Sequence, residues 1–430
     1  MRRIRLIVCS LLITIGFTLR AGESVTIEQC VRMAQDNYPL IKKYELLEAT
    51  KDIELSDINR SWLPRLDIYG QVTGQNVVPS FPDALSGVLQ QMGQSMKGLG
   101  KVQYKVGADV SQTIWDGGVS SVRRETALCQ EEVHSASLDV ELYAVRERVE
   151  NLYFAILLTE QQIAQNEQTL TVLNSNLSRL NSMLRHGTAM QSDVDMVEAQ
   201  ALTVSQAIHL AHSAVKGYRK ALSLLAGDNL ADKKLTLPEP IEPLISDSDR
   251  SELRLFDTQI RLNSLTHRMT EVSLRPKIGF FAQAYYGYPG LNYFRSMMNR
   301  DWSLNIVAGL KVSWTLDSFY TRGNADRRME INARNIQADR ELFLFNTNIQ
   351  MASQRENIEG MKDIIKDDSR IVTLRVNVRK AAESQLSNGV IDTNALITKI
   401  SDENMARLAA QLHEIQLLQE IYKLKYTLNR

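Results

Sequence analysis

The sequence predicts a chain of mixed α and β structure, mainly α, in which long antiparallel coiled-coil hairpins alternate with four β-strands. Three observations predict it. The prolines leave residues 83–237 and 290–430 without a single one, room for helices far longer than the average of about 11–12 residues. The second half of the chain echoes the first. "SWLPRLDIYGQ" at 61–71 returns as "SLRPKIGFFAQ" at 273–283, "SQTIWDGG" at 111–118 as "SWTLDSFY" at 313–320, and "RHGT" at 185–188 as "SNGV" at 387–390. Lastly, four segments alternate apolar and polar residues with period two, and the segments behind them carry a 3–4 spacing. The expected organisation is a signal peptide at 1–21, a first structural repeat at 22–240 and a second of the same order at 241–430.

The chain opens "MRRIRLIVCSLLITIGFTLRAGES". Arg2, Arg3 and Arg5 precede an apolar run from Leu6 to Leu19 and small residues at Ala21 and Gly22. That is the layout of a secretory signal peptide; a membrane span needs ~20 apolar residues. Removing residues 1–21 takes away four arginines and no acids, leaving 46 basic against 50 acidic residues, a net charge of −4. Neither net charge nor any basic cluster points to nucleic acid. Cys30 and Cys129 remain, too few for a disulfide scaffold; a bridge between them is open, with two free thiols the better reading. No later stretch is apolar over 18 residues, so no helix is expected to span a membrane.

A helical lead-in is expected over Thr26 to Arg60, capped by Thr26 or Ser24 and broken at Asn37-Tyr38-Pro39, and a second over Asp247 to Val272. "LPEPIEP" at 237–243 forms a stiff link between the repeats. The fourth strand is the clearest. In "WSLNIVAGLKVSWTL", Trp302, Leu304, Ile306, Ala308, Leu310, Val312, Trp314 and Leu316 share one face, with Ser303, Asn305, Lys311, Ser313 and Thr315 on the other. Trp302 and Trp314 stand near the two ends, and twelve steps of ~3.3 Å tilted by ~45° give a height of ~28 Å. Aromatic residues bounding an apolar band of that height suit an outer-membrane barrel strand. The third strand alternates in the same way through Ile278, Phe280, Ala282, Ala284 and Tyr286, and the first through Leu66, Ile68 and Val72. The second carries Val106, Ala108 and Val110, then is interrupted by Gln112. Gln75 to Gly100, with Pro79 and Pro82, is expected to be an outward-facing loop.

Four strands cannot close a barrel, and an open edge in lipid leaves backbone groups unpaired at several kcal/mol each. Three copies would supply twelve strands, an even antiparallel total.

Asp116-Gly117-Gly118 marks the change from strand to helix: the glycines let the chain swing out of the sheet, and Asp116 or a serine just beyond can accept from the first free helical amides. Asp317 stands at the same place in the second repeat, with Ser318-Phe319 for the glycines and a longer turn expected. From Gly118 to about His186, at ~1.5 Å per residue, the helix is a rod of ~100 Å. The returning arm carries Val194, Val197, Ala201, Val204, Ile208, Ala211, Val215, Tyr218, Leu222 and Leu225, a heptad seam. The C-terminal arm is less regular, with Leu396, Ile400, Leu408, Leu412, Ile415 and Tyr422. Gly187 and Gly389 mark the reversals.

Taken together, the signal peptide, "TIEQCVRMAQDNYPLIKKYE", "WLPRLDIYG", "IWDGG" and "GTAMQSDVDMVEAQ" resemble the outer-membrane efflux proteins of the TolC family. The resemblance covers nearly all of the mature chain. It implies a homotrimer in the outer membrane of a Gram-negative bacterium, a twelve-stranded barrel continued by a periplasmic tunnel of twelve helices, and docking to a periplasmic adaptor and an inner-membrane transporter. It implies no cofactor and no catalysis. Bonds between neighbouring hairpins would hold the tunnel tip shut. Ser192 and Asp193, after Gly187, match the family's bonding positions. On the second hairpin the family's two acids are Ala395 and Thr398 and its arginine is Ile391. A closed tip with different bonds is therefore expected, Asp193 and Asp392 with Arg185, and adaptor contacts beside Gly187 and Gly389.

The rival readings are an enzyme and an exported coiled-coil scaffold without a pore. His209 and His212 are i, i+3 neighbours, but no Asp, Glu or Cys completes a metal set near them. No phosphate loop, nucleophile elbow or Cys-pair zinc spacing is present in the sequence.

Overall fold

The computed structural model describes residues 24–80, 82–93, 98–241 and 250–429. The signal peptide expected at 1–21 lies outside them, as do part of the inter-repeat link and the first residues expected of the second lead-in. In chain order the elements are β1 (Ser24–Val25), α1 (Ile27–Asn37), α2 (Ile41–Arg60), β2 (Arg65–Gly74), α3 (Asp83–Gln91), β3 (Val102–Trp115), α4 (Val119–Arg185), α5 (Gln191–Ala226), β4 (Lys234–Leu235), α6 (Ser251–Ser273), β5 (Lys277–Tyr288), α7 (Tyr293–Asn299), β6 (Ser303–Ser313), α8 (Ser318–Ser387) and α9 (Thr393–Leu428). The order helix, strand, short helix, strand, long helix, helix occurs twice. Among the described residues two compact units arise, one drawn from 24–41, 141–241 and 346–429 with Arg250, the other from the described parts of 42–140 and from 251–345.

The first unit is a helical core. Thr26 caps α1 in a reciprocal box: its hydroxyl accepts from the Gln29 amide at 3.3 Å and Gln29 Oε1 accepts from the Thr26 amide at 2.9 Å. The expected break falls between α1 and α2. Asn37, the last residue of α1, donates to the carbonyls of Leu224 and Leu225 at 3.3 and 3.1 Å, satisfying orphan groups at the end of α5. Gly227 follows with φ +68°, and a Cβ there would fall 2.4 Å from Asn37 Cγ. The predicted seam of α5 is buried at Val194, Val197, Ala201, Val204, Ile208, Ala211, Val215 and Leu222. Tyr218 departs from it and is exposed, as a long side chain with a polar end tolerates. In α9, Leu396, Ile400, Ile415 and Tyr422 are buried, whereas Leu408 and Leu412 are half-buried. Phe154 meets Tyr153 and Tyr422 edge to face at 6.3 and 5.5 Å between ring centres.

One short element escapes the sequence reading. β1 pairs in parallel with β4, Ser24 beside Lys234 and Val25 beside Leu235. The buried Tyr153 hydroxyl reaches Thr236 O at 2.6 Å and Val25 O at 2.9 Å, fastening both strands to α4.

This unit also buries an acid. Glu150 is 5 % exposed and accepts from Arg146 Nε at 2.7 Å, beside Glu147, Arg250 and Lys423. Burial pushes its carboxyl up to about 7 against the pull of Arg146. The folded state thus holds the proton more tightly than the unfolded chain. Stability from this group is full below about pH 4.5 and falls by about 3 kcal/mol as the pH rises to 7. Glu150→Gln should therefore flatten the urea midpoint between pH 4.5 and 7 and be at least as stable as wild type at pH 8. A profile unchanged by the substitution would show that Arg146 keeps the carboxylate charged.

In the second unit, α6 is laid antiparallel on the start of α4 by three ion pairs: Arg254–Asp139 at 3.1 Å, Arg261–Glu132 at 2.7 Å and Arg268–Glu125 at 2.7 Å. Both partners step by seven residues, so the pairs form a ladder. Each exposed pair contributes little, ~0–1 kcal/mol, but together they set the register. On the side of α8, Asn263 donates to Met329 O at 2.9 Å and His267 pairs with Asp326 at 3.0 Å. Cys30 and Cys129 are both free and buried, and burial pushes the Cys30 thiol up to about 11.

The four longer strands form one antiparallel sheet in the order β2-β3-β5-β6. β6 is shorter than the alternation suggests, Ser303–Ser313, so Trp302 and Trp314 fall just beyond its ends. Trp314 leaves the ladder because its indole N–H donates to Leu274 O at 2.8 Å. The loop at 75–100 contains α3. Among the described residues no helix is long and apolar enough to cross a membrane.

Candidate functional site

The sheet has two unlike faces. Register places Ile68, Ala108, Ala284 and Ile306 in one row across all four strands, with Leu66, Val110, Ala282 and Ala308 in the next. The large side chains of this face point into solvent: Ile68 is 78 % exposed and Ile306 65 %. Toward one end of the sheet Trp302 stacks on Tyr104 at 4.9 Å between ring centres and lies 5.3 Å from Tyr286, forming an aromatic cluster on the same face. The opposite face carries Asp67, Asp109 and Gln283 in one row and Tyr69, Gly107, Tyr285 and Asn305 in another. The strands are 10 to 14 residues long, enough for a tilted membrane strand. Among the described residues nothing pairs with the outer edge of β2 or of β6. An apolar face this large and a sheet with both edges open are liabilities in water.

At the sheet-to-helix seam Asp116 does the capping. Its Oδ1 accepts from the Gly118 amide at 2.9 Å, and its Oδ2 from the Ser120 amide at 2.6 Å and the Ser120 hydroxyl at 2.5 Å. Burial raises its pKa, but these bonds outweigh that and hold the carboxyl below its ordinary value. Gly117 and Gly118 have φ of +76° and +95°, and a Cβ on Gly117 would fall 2.8 Å from Arg275 Cβ. Asp317 does not repeat the role: among the described residues its carboxylate receives the Ser318 hydroxyl at 3.4 Å and no helix amide. Residues 314–317 make a link one residue longer than 116–118, and Gly323 lies inside α8.

The hairpin turns are built alike. Gly187 and Gly389 have φ of +74° and +71°. The next amide reaches back five residues in each, Thr188 to Met183 O at 2.9 Å and Val390 to Gln385 O at 2.8 Å, which is a Schellman closure. The acids nearby start the returning helices. Asp193 accepts from the Met190 amide at 2.9 Å and Asp392 from the Ala395 amide at 2.7 Å. Among the described residues Arg185 bonds neither of them within the chain, because both carboxylates are turned to their own helix starts; Ser192 is exposed beside them. Met190 and Val390 protrude at the tips, 72 % and 69 % exposed, a feature not singled out from the sequence.

Sequence reasoning also missed a polar layer among the helices of the first unit. Glu403 occupies a seam position three residues after Ile400, and the 3–4 spacing could have found it. Arg407 donates to it at 2.8 Å and Arg379 bonds it as well, while Arg379 also holds Glu383 at 2.7 Å. Asn404 accepts from Gln165 at 3.0 Å and Thr169 at 2.5 Å alongside. His209 and His212 are exposed on α5, and no cluster of three His, Cys, Asp or Glu side chains fit to hold a metal forms among the described residues.

Set against solved structures, the chain has the fold of outer-membrane channels. The outer-membrane channel OprN superposes with a TM-score of 0.66 at 12% identity, over 94% of this chain and 89% of that one. VceC, an outer-membrane protein of Vibrio cholerae, gives 0.64 at 12% identity, over 94% of each chain. The open state of the MtrE outer-membrane channel of Neisseria gonorrhoeae gives 0.67 at 12% identity, over 94% of this chain and 88% of that one. No family model and no curated protein sequence matches the chain. At this identity the likeness is one of fold, and at that level it bears out the resemblance drawn from the motifs.

Proposed function

We propose that this chain is one third of a homotrimeric outer-membrane channel of the TolC family, the exit duct of an efflux or type I secretion assembly in a Gram-negative bacterium. One observation carries the reading: a sheet with an apolar, solvent-exposed face and two open edges, on a fold shared with outer-membrane channels along almost its whole length. Three such sheets closed edge to edge satisfy every ladder and give lipid the apolar face and the pore the polar one. Trp302, with Tyr104 and Tyr286, lies where one membrane interface would be, and Trp314 near the other. The turn glycines Gly187 and Gly389, with exposed Met190 and Val390 beside them, offer the surface for a periplasmic adaptor, which would join the duct to an inner-membrane transporter. Arg185 is available there to bonds between copies, as are Asp193 and Asp392 in addition to the caps those two make. The duct conducts passively and needs no cofactor.

The test is mass and conductance. Detergent-extracted protein is expected as a trimer by light scattering, to resist unfolding by detergent until heated, and to form ion-conducting channels in planar bilayers. A folded monomer, or a trimer that leaves bilayers silent, would refute the duct and favour an exported scaffold.

A further inference from the structure

Residues 289–302, which join β5 to β6, do not stand clear of the sheet. They fold back over its polar face. Asn305 lies on that face yet is only 6 % exposed. Its Oδ1 accepts from the Leu291 amide at 2.7 Å, and its Nδ2 donates to Ser303 O at 2.8 Å and Ser303 Oγ at 3.1 Å. The Gly290 amide donates to Ser296 Oγ at 3.0 Å, which anchors the middle of α7. A Cβ on Gly290 would fall 2.0 Å from Ser303 Oγ and 2.9 Å from Asn305 Oδ1, so a side chain there would displace the groups of this network. Arg300 Nε donates to Gly98 O at 3.1 Å, joining this segment to the other strand connection at the same end. A buried polar network thus holds α7 in place. What it presents outward is apolar: Leu291, Tyr293 and Phe294 are exposed, Phe294 by 67 %. Two exposed aromatics on a rigidly latched helix are out of place on a water-facing surface.

We propose that α7 is an outward gate: Tyr293 and Phe294 of three copies meet over the mouth of the barrel and form an aromatic constriction there. The occupant of this apolar face is a second copy of the same chain. The inference rests on the trimeric channel reading, and the closed barrel supplies the distances. Twelve strands ~4.8 Å apart and tilted by ~40° make a wall ~75 Å around, with a radius of ~12 Å. A helix with its side chains is ~10 Å across, so three of them laid against the inner wall nearly reach the axis. Continuity with the barrel seam points the same way, because α7 is rooted at β6, the edge strand that joins the next copy.

Bilayer recording decides it. The double substitution Tyr293→Ala, Phe294→Ala should leave the trimer mass unchanged and raise single-channel conductance at least twofold. In parallel, Phe294→Cys should give a covalent dimer on a non-reducing gel after copper–phenanthroline and oxygen, whereas wild type, whose Cys30 and Cys129 are buried, should not. Conductance unchanged by the alanines, with no cross-link from the cysteine, would overturn the gate while leaving the channel intact. A wild-type protein that does not conduct overturns the channel reading and the gate with it.

Discussion

Ile306→Arg is expected to stop the protein from forming a stable channel. Ile306 sits mid-strand in β6 on the apolar face, 65 % exposed, in the row that runs through Ala284 and Ala108 to Ile68. In a soluble sheet, an arginine there would face water and cost little. Against lipid it costs ~2–4 kcal/mol at the bilayer midplane, and a trimer carries it three times. The measurement is refolding into phospholipid vesicles, scored by the heat-dependent shift in gel mobility. Gln283→Arg is the control. Gln283 lies on the opposite, polar face of the neighbouring strand, and the same charge there should leave assembly within about twofold of wild type. Equal damage from both, or from neither, would remove the assignment of the faces.

Arg379→Ala should produce a clear loss of stability in the helical unit, ~1–3 kcal/mol, because it leaves the buried Glu403 carboxylate with Arg407 as its one remaining cationic partner among the described residues. Glu403 is buried in the seam of α9 and held by Arg379 and Arg407. Burial alone would raise its pKa, but the bonds from Arg407 and Arg379 outweigh it and hold the carboxyl below its ordinary value. The sign follows. The folded state binds the proton less tightly than the unfolded chain, so Glu403 adds stability above about pH 4.5 and loses it as the pH falls through its folded pKa. Arg379→Ala should therefore lower the urea midpoint strongly at pH 7 and less in acid. The double variant Arg379→Leu, Glu403→Leu should recover part of the loss, as replacing a buried pair by apolar groups often does. A uniform loss at every pH would assign the effect to lost packing of the arginine stem.

What the sequence disclosed was periodic. Four strands, two long helices with their returning arms and the seam from Val194 to Leu222 all follow from spacing, because a buried or lipid-facing stripe must recur at the pitch of its element. Turn glycines were legible for a similar reason, since a left-handed residue after a helix is inexpensive only without a Cβ. What stayed hidden depends on partners distant in the chain. β1 is two residues long and means nothing until β4 lies beside it. Arg254, Arg261 and Arg268 repeat every seven residues, as do Glu125, Glu132 and Asp139, yet only the antiparallel packing of α6 on α4 shows that they pair. Asp193 and Asp392 also make helix caps that spacing does not announce, because a carboxylate at a helix start satisfies the free amides closest to it. At Trp314 the alternation continues past the last ladder bond, so period two alone overruns the strand.

The clasp of β1 on β4 bears on how the molecule is made. Ser24 and Val25 find their partners only at Lys234 and Leu235, some two hundred residues downstream. Closing so long a loop carries a large entropic cost, and the contact cannot exist before its second half has been delivered. Ser24 and Val25 therefore stay unpaired until the whole first repeat has been made, and docking them is a late act of folding. A protease that trims tails from immature chains but spares finished ones would tell the two populations apart.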